Sequence, residues 1–145
     1  MSPHLDKALR LLAEDADDLE IISAALQDAV TRIGDISWEP RGRRLTIAFN
    51  RFRWEADEPV PKRVRAAVQL GSVLTVRARN LRRDAKEAVL ELLALTFEPA
   101  EAPGGVVTFA FADGGDLAAT VECIDAALAD VSAPWLSHRK PGHEG

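Results

Sequence analysis

The sequence predicts an α+β fold: an antiparallel sheet or partly closed barrel, with an N-terminal helix before it and a C-terminal helix after it. Three observations predict this. Apolar residues recur at helical spacing near both ends of the chain. Between them the chain alternates apolar and polar residues with a period of two. Turn residues break that alternation at short intervals, as antiparallel hairpins require. The 145 residues suit one domain, assigned to residues 1–136, with a flexible tail over 137–145. A chain of this length buries about 68–70% of its unfolded surface, so it needs no disulfide or metal to hold a core.

"LRLLA" at residues 9–13 reads as a short opening strand. The helix follows in "EDADDLEIISAALQDAV", with Asp17 as its N-cap and Glu20 at the third helical position, a capping-box pattern. Leu19, Ile22, Leu26 and Ala29 mark its apolar face. Residues 30–54 read as a hairpin turning at "EPRGRR". In its second strand Leu45, Ile47 and Phe49 share a face. At Asn50, in "NRFRWE", the polarity inverts: Phe52 and Trp54 fall on the Thr46 face, and Arg51 and Arg53 on the Leu45 face. A bulge at Asn50 would restore one apolar face; without it the strand passes from one covered face to another. Phe52 and Trp54 are then expected in a core, and Arg51 and Arg53 on a wetter surface.

From Val64 to Asn80 an alternation is read in which Val64, Ala66, Val68, Leu70, Leu74, Val76 and Ala78 sit at even positions and Arg65, Gln69, Thr75, Arg77 and Arg79 at odd ones. A hairpin at "LGSV" would mix the two faces, so one long strand kinked at Gly71 is favoured. "LRRDAKEA" is a loop or short helical turn. "VLELLALTF" is apolar on both faces apart from Glu91 and Thr96, as a central strand is. "VVTFAFA", the turn "DGGD" and "LAATVEC" form a hairpin. Cys123, Ile124, Ala127, Leu128 and Val131 return to helical spacing and predict the C-terminal helix. Consecutive strands closed by a helix also resemble the pleckstrin-homology type of barrel, a likeness of layout that carries no function.

The net charge of −5 is unevenly placed. Residues 1–38 hold three basic and eight acidic groups, residues 39–86 hold 13 and five, and residues 87–145 hold two and ten. The segments therefore carry −5, +8 and −8. A basic middle serves an anionic partner or is offset by the acidic ends of its own chain. The one cysteine, Cys123, suits a reducing cytoplasm, and its acidic neighbours Glu122 and Asp125 disfavour a thiolate. No apolar run reaches the roughly 18 residues of a membrane span, and the N-terminus lacks the apolar stretch of a signal peptide.

No catalytic constellation stands out. His4, His138 and His143 all lie in the terminal segments, away from any predicted core. No zinc spacing and no phosphate-binding glycine motif is present, so no cofactor and no metal are expected. Arg51, Arg53, Arg65, Arg77 and Arg79 would share a face if the hairpin and the long strand pair. Nucleic acid is an unfavoured partner for that face, because alternation puts Phe52 and Trp54 on the other side of the sheet and the whole chain is acidic.

Three stretches resemble a bacterial family, the domain of unknown function 2948: "DADDLEIISAALQDAVTRIGDISWEPRGRR", "NRFRWE" and "LLALTFEPAEAPGGVVTFAFADGGDLAATVECIDAALADVSAPW". The likeness is collinear over about residues 15–136. It implies a small cytoplasmic protein with no assigned activity, and it supplies no catalytic residues to transfer. The expectation is a non-catalytic protein-interaction or oligomerisation module. The alternative is a binder of an anionic ligand, nucleic acid or a phosphorylated metabolite, through the five arginines named above.

Overall fold

The computed structural model describes residues 8–56 and 59–136. The tail assigned to 137–145 and the three histidines lie outside them. The elements run β1 (Arg10–Ala13), α1 (Ala16–Ala25), β2 (Val30–Arg32), a 3-10 turn (Ile33–Asp35), β3 (Ile36–Glu39), β4 (Arg44–Phe52), β5 (Lys62–Leu70), β6 (Val73–Arg79), β7 (Val89–Pro99), β8 (Gly105–Phe111), β9 (Asp116–Val121), β10 (Ala126–Asp130) and β11 (Trp135–Leu136). The strands form one open antiparallel sheet with the path β1-β10-β5-β4-β2-β7-β8-β9-β6; β11 adds to β5 and β3 to β4.

This corrects the expected α+β class. The described residues are mostly antiparallel sheet, 53% strand against 10% helical, and include one α-helix. The expected C-terminal helix is β10. Its sequence "AALAD" favours a helix by propensity, but it lies between β1 and β5 and pairs with both. Its apolar window of about nine residues is also short for a helix without strong tertiary support. Pairing on both sides satisfies every backbone group, while Ala126 and Leu128 still reach the core.

Helix α1 begins two residues earlier than its acidic pattern suggests. Asp15 is the N-cap, and its carboxylate accepts from the Asp18 N–H at 2.8 Å. Leu19, Ile22 and Leu26 are buried as their spacing requires. The helix also covers β7 where β2 stops: the Leu92 N–H donates to the Ala29 carbonyl and the Leu95 N–H to Ser23 Oγ. β7 is central, as expected, but not covered on both faces. Leu90, Leu92 and Leu95 point inward while Val89 and Leu93 are exposed, with a register shift between Leu92 and Ala94.

The "LGSV" segment is a corner, not a hairpin. β5 runs along β10 and β6 along β9. The Gly71 N–H donates to the Asp125 carbonyl and the Glu122 N–H to the Ser72 carbonyl, so pairing continues around the bend. A Cβ at residue 71 would sit 2.5 Å from Asp125 Oδ2, so a larger residue there would displace that exposed carboxylate. The bend also breaks the even-numbered phase: Val73 is buried and Leu74 exposed.

Strand β4 shows no bulge at Asn50. It pairs with β5 residue for residue from Leu45↔Leu70 to Phe52↔Arg63. Leu45, Ile47, Phe49 and Arg51 therefore share the inner face with Leu70, Val68, Ala66 and Val64. The strand keeps its phase, and an arginine occupies the fourth core position.

Candidate functional site

The five arginines do not form one surface. Arg51 is fully buried and Arg53 is 7% exposed, so the wet face expected for them is corrected to the inner end of the core. Arg53 lines a small cleft of about 270 Å³ with Asp130, Ser132 and Pro134. Arg65 lies on the opposite, outer face of β5, opposite Asn50. Arg77 and Arg79 stand on β6, at the far edge of the sheet.

Arg51 is saturated. Its Nε donates to Asp130 Oδ1 at 3.0 Å and its Nη2 to Asp130 Oδ2 at 2.9 Å. Nη1 and Nη2 donate to the two oxygens of Glu55 at 2.9 and 2.8 Å, and Nη1 also donates to the Phe52 carbonyl at 2.9 Å. All five N–H donors of the guanidinium are thereby used. Asp130 reaches it from β10 across β5, where Ala66 stands opposite Asp130 and leaves room. Asp130 Oδ2 also accepts from the Leu9 N–H, tying in the start of β1. Burial alone would lower the Arg51 pKa; the hydrogen bonds and charges of Glu55 and Asp130 outweigh it and raise it. Burial likewise pushes the Glu55 carboxyl up. Hydrogen bonds from Arg51 and from its own backbone, with the charges of Arg51 and Arg53, outweigh this and hold it below its ordinary value. A guanidinium with no donor left binds no ligand, so Arg51 closes the core.

Strand β6 has the opposite character. It pairs with β9 on one side and ends the sheet on the other. Beyond Val73, whose N–H donates to the Arg43 carbonyl, its side chains are exposed at every position but Val76. Arg79 pairs with Asp116, Nη2 to Oδ2 at 2.6 Å. Arg77 makes no ion pair or side-chain hydrogen bond among the described residues. Cross-strand register places Arg77, Ala118, Thr108 and Thr96 in one row of the outer face, and Thr75, Thr120, Val106 and Glu98 in the next. Small side chains leave a shallow trough of about 480 Å³ beside the two arginines.

Sequence reasoning missed Asp130, Glu55 and Arg63. Asp130 was hidden by the helical reading of its segment. Glu55 carried the one available signal, a carboxylate four residues after an arginine. Arg63 sits with its guanidinium 4.0 Å over the Phe52 ring, a contact that only the β4–β5 register reveals. Trp54, expected in the core, is 47% exposed. No group of three or more His, Cys, Asp or Glu side chains among the described residues could hold a metal ion. No described helix is long and apolar enough to cross a membrane.

The chain belongs to the family described as "Protein of unknown function (DUF2948)", which matches residues 9–143. No curated protein and no solved structure matches it.

Proposed function

We propose that this chain is a non-catalytic interaction module that takes an extended acidic segment of a partner protein along the free edge of β6. The observation that carries the reading is the edge itself: the six residues past Val73 that end an open sheet, with Leu74 45% exposed and Arg77 without a counterion among the described residues. An unpaired edge offers backbone donors and acceptors to an added strand, and side-chain neighbours set its specificity. On the outer face an added strand would meet Arg77 and Arg79; on the other it would meet Val76 and Ala78. Acidic and apolar residues in alternation satisfy both.

A second copy of this chain suits the edge poorly, because two antiparallel β6 strands bring like charges together. The reading of one anionic ligand on one arginine face loses its geometry, since the five guanidiniums lie in three separate places. The single cysteine, Cys123, half-buried at the β9–β10 connection, is compatible with work in a reducing cytoplasm.

Selection of short random peptides from a displayed library tests the proposal. Peptides alternating Asp or Glu with apolar residues are expected, slowing amide exchange at residues 74–79 of the protein. Arg77→Glu should weaken the selected peptides about tenfold or more, as reversal of an interfacial charge does. Equal binding by Arg77→Glu, or no recurrent acidic pattern, overturns the proposal.

A further inference from the structure

The other end of the sheet carries an arrangement that the β6 edge does not explain. Phe52 of β4, Arg63 of β5 and Trp135 of β11 lie directly opposite one another in successive strands, so their side chains share the outer face. Phe52 is the floor of this row, 3% exposed beneath the Arg63 guanidinium. The Trp54 ring lies 5.6 Å from the Phe52 ring, centre to centre. Its Nε1–H donates to the Gln27 carbonyl at 3.1 Å. Trp54 is therefore half-exposed yet held at one edge, a stacking surface fixed before anything binds. Trp135 is 41% exposed on the other side of Arg63.

One row along the same face, Asn50 stands opposite Arg65, and Nη1 of Arg65 donates to Asn50 Oδ1 at 3.2 Å. This pair borders a polar cleft of about 380 Å³ that also includes Thr31, Arg32 and Asp35. Arg65 reaches Asp35 at 3.2 Å and is still 38% exposed. The sequence argument separated the aromatics from Arg51 and Arg53, and the inner position of Arg51 agrees with that separation. What only the register shows is that β5 supplies other cations, Arg63 and Arg65, on the aromatics' own side.

We infer that this outer face binds nucleotide units, stacking a base on Trp54 or Trp135 and holding its phosphate at Arg65 and Arg32. Half-exposed indoles answer a flat aromatic ligand, and its anionic group meets Arg65 one row away and, one row beyond, Arg32, which is 60% exposed in its pair with Glu87. Trp54, Arg63 and Arg65 come from residues 39–86, the segment with 13 basic and five acidic groups. A free nucleotide and a single strand present the same chemistry, whereas a duplex hides its base faces. The site lies away from β6, and neither proposal depends on the other.

Fluorescence anisotropy of a labelled single-stranded oligothymidine tests it at low and at physiological salt, with the duplex and adenosine monophosphate as further arms. Single-strand binding that weakens with salt and quenches tryptophan emission in the unmodified protein is expected. Trp54→Ala with Trp135→Ala should weaken it about tenfold or more, and Arg65→Gln less. Competition by the mononucleotide identifies a free nucleotide as sufficient; its failure, with strand binding retained, identifies a strand as the ligand. Circular dichroism and a thermal melt check that each variant folds. Duplex binding as tight as single-strand binding, equal binding by the folded double variant, or binding of neither oligonucleotide nor mononucleotide at low salt overturns the inference.

Discussion

Arg51-Phe52-Arg53 and Arg77-Ala78-Arg79 are the same pattern on two strands, and the fold uses them in opposite ways. On β4 the first arginine faces inward and meets carboxylates from two other segments, Asp130 of β10 and Glu55 of the following turn. On β6 the first arginine faces solvent and meets none among the described residues. The difference lies in sheet position. β4 is an interior strand with neighbours on both sides, so its inner-face position must be desolvated and can be compensated only by charge brought across β5. β6 is a terminal strand, where an arginine keeps its hydration. Arginine spacing alone therefore distinguishes neither a core anchor from a binding group nor stability from function.

The sharpest way to break this comparison is to remove Arg51. Arg51→Ala leaves Asp130, whose side chain is 3% exposed, and Glu55 without their counterion. Breaking a buried pair in this way costs about 3–5 kcal/mol. For a chain of this length that is a fall in melting temperature of roughly 10 °C. Adding Asp130→Ala to Arg51→Ala removes the stranded charge, so the double variant should recover part of the loss. A double variant as unstable as the sum of the two singles would assign the cost to packing rather than to unpaired charge.

A smaller effect follows from pH. The folded-state pKa of Glu55 lies below its ordinary value of 4.5. Its ionised form therefore stabilises the fold above that value, and the contribution is lost as pH falls through the lower, folded-state pKa. Glu55→Gln should be less stable than the unmodified chain at neutral pH, and the gap should close as the medium is acidified below 4.5. Urea melts at several pH values measure this. A gap that stays constant with pH would mean that Glu55 acts through shape and not charge.

Much of the sheet was legible because its turns are chemical. "EPRGRR" and "DGGD" mark the hairpins β3–β4 and β8–β9, and the apolar alternation of residues 45–49 and 107–111 gives the inner face of β4 and β8. Three things were hidden. β10 is composed of residues that favour helices, and only pairing on both sides makes it a strand. Alternation placed Arg51 on the Leu45 face, where it lies; the expectation that its surface there is wet assumed that charge avoids the core, which fails when a partner such as Asp130 arrives from 79 residues away in sequence. The outer aromatic row was equally invisible, since Phe52, Arg63 and Trp135 meet only through the registers of three strands.

The smallest effects belong to β6, and they complete the contrast. Arg79→Ala removes an exposed pair with Asp116 and should cost no more than about 1 kcal/mol. Arg77→Ala removes no ion pair among the described residues and should change stability by less than about 0.5 kcal/mol. Thermal melts of both beside Arg51→Ala would rank the three arginines. The double variant Arg77→Thr with Arg79→Thr carries a further consequence, because charged side chains on an edge strand discourage identical edges from pairing. Stripped of both, β6 becomes a flat, neutral edge, and light scattering should detect association that grows with protein concentration. A double variant that stays monomeric at high concentration would show that the two arginines do not guard the edge, and would leave partner recognition as the role to be tested for Arg77.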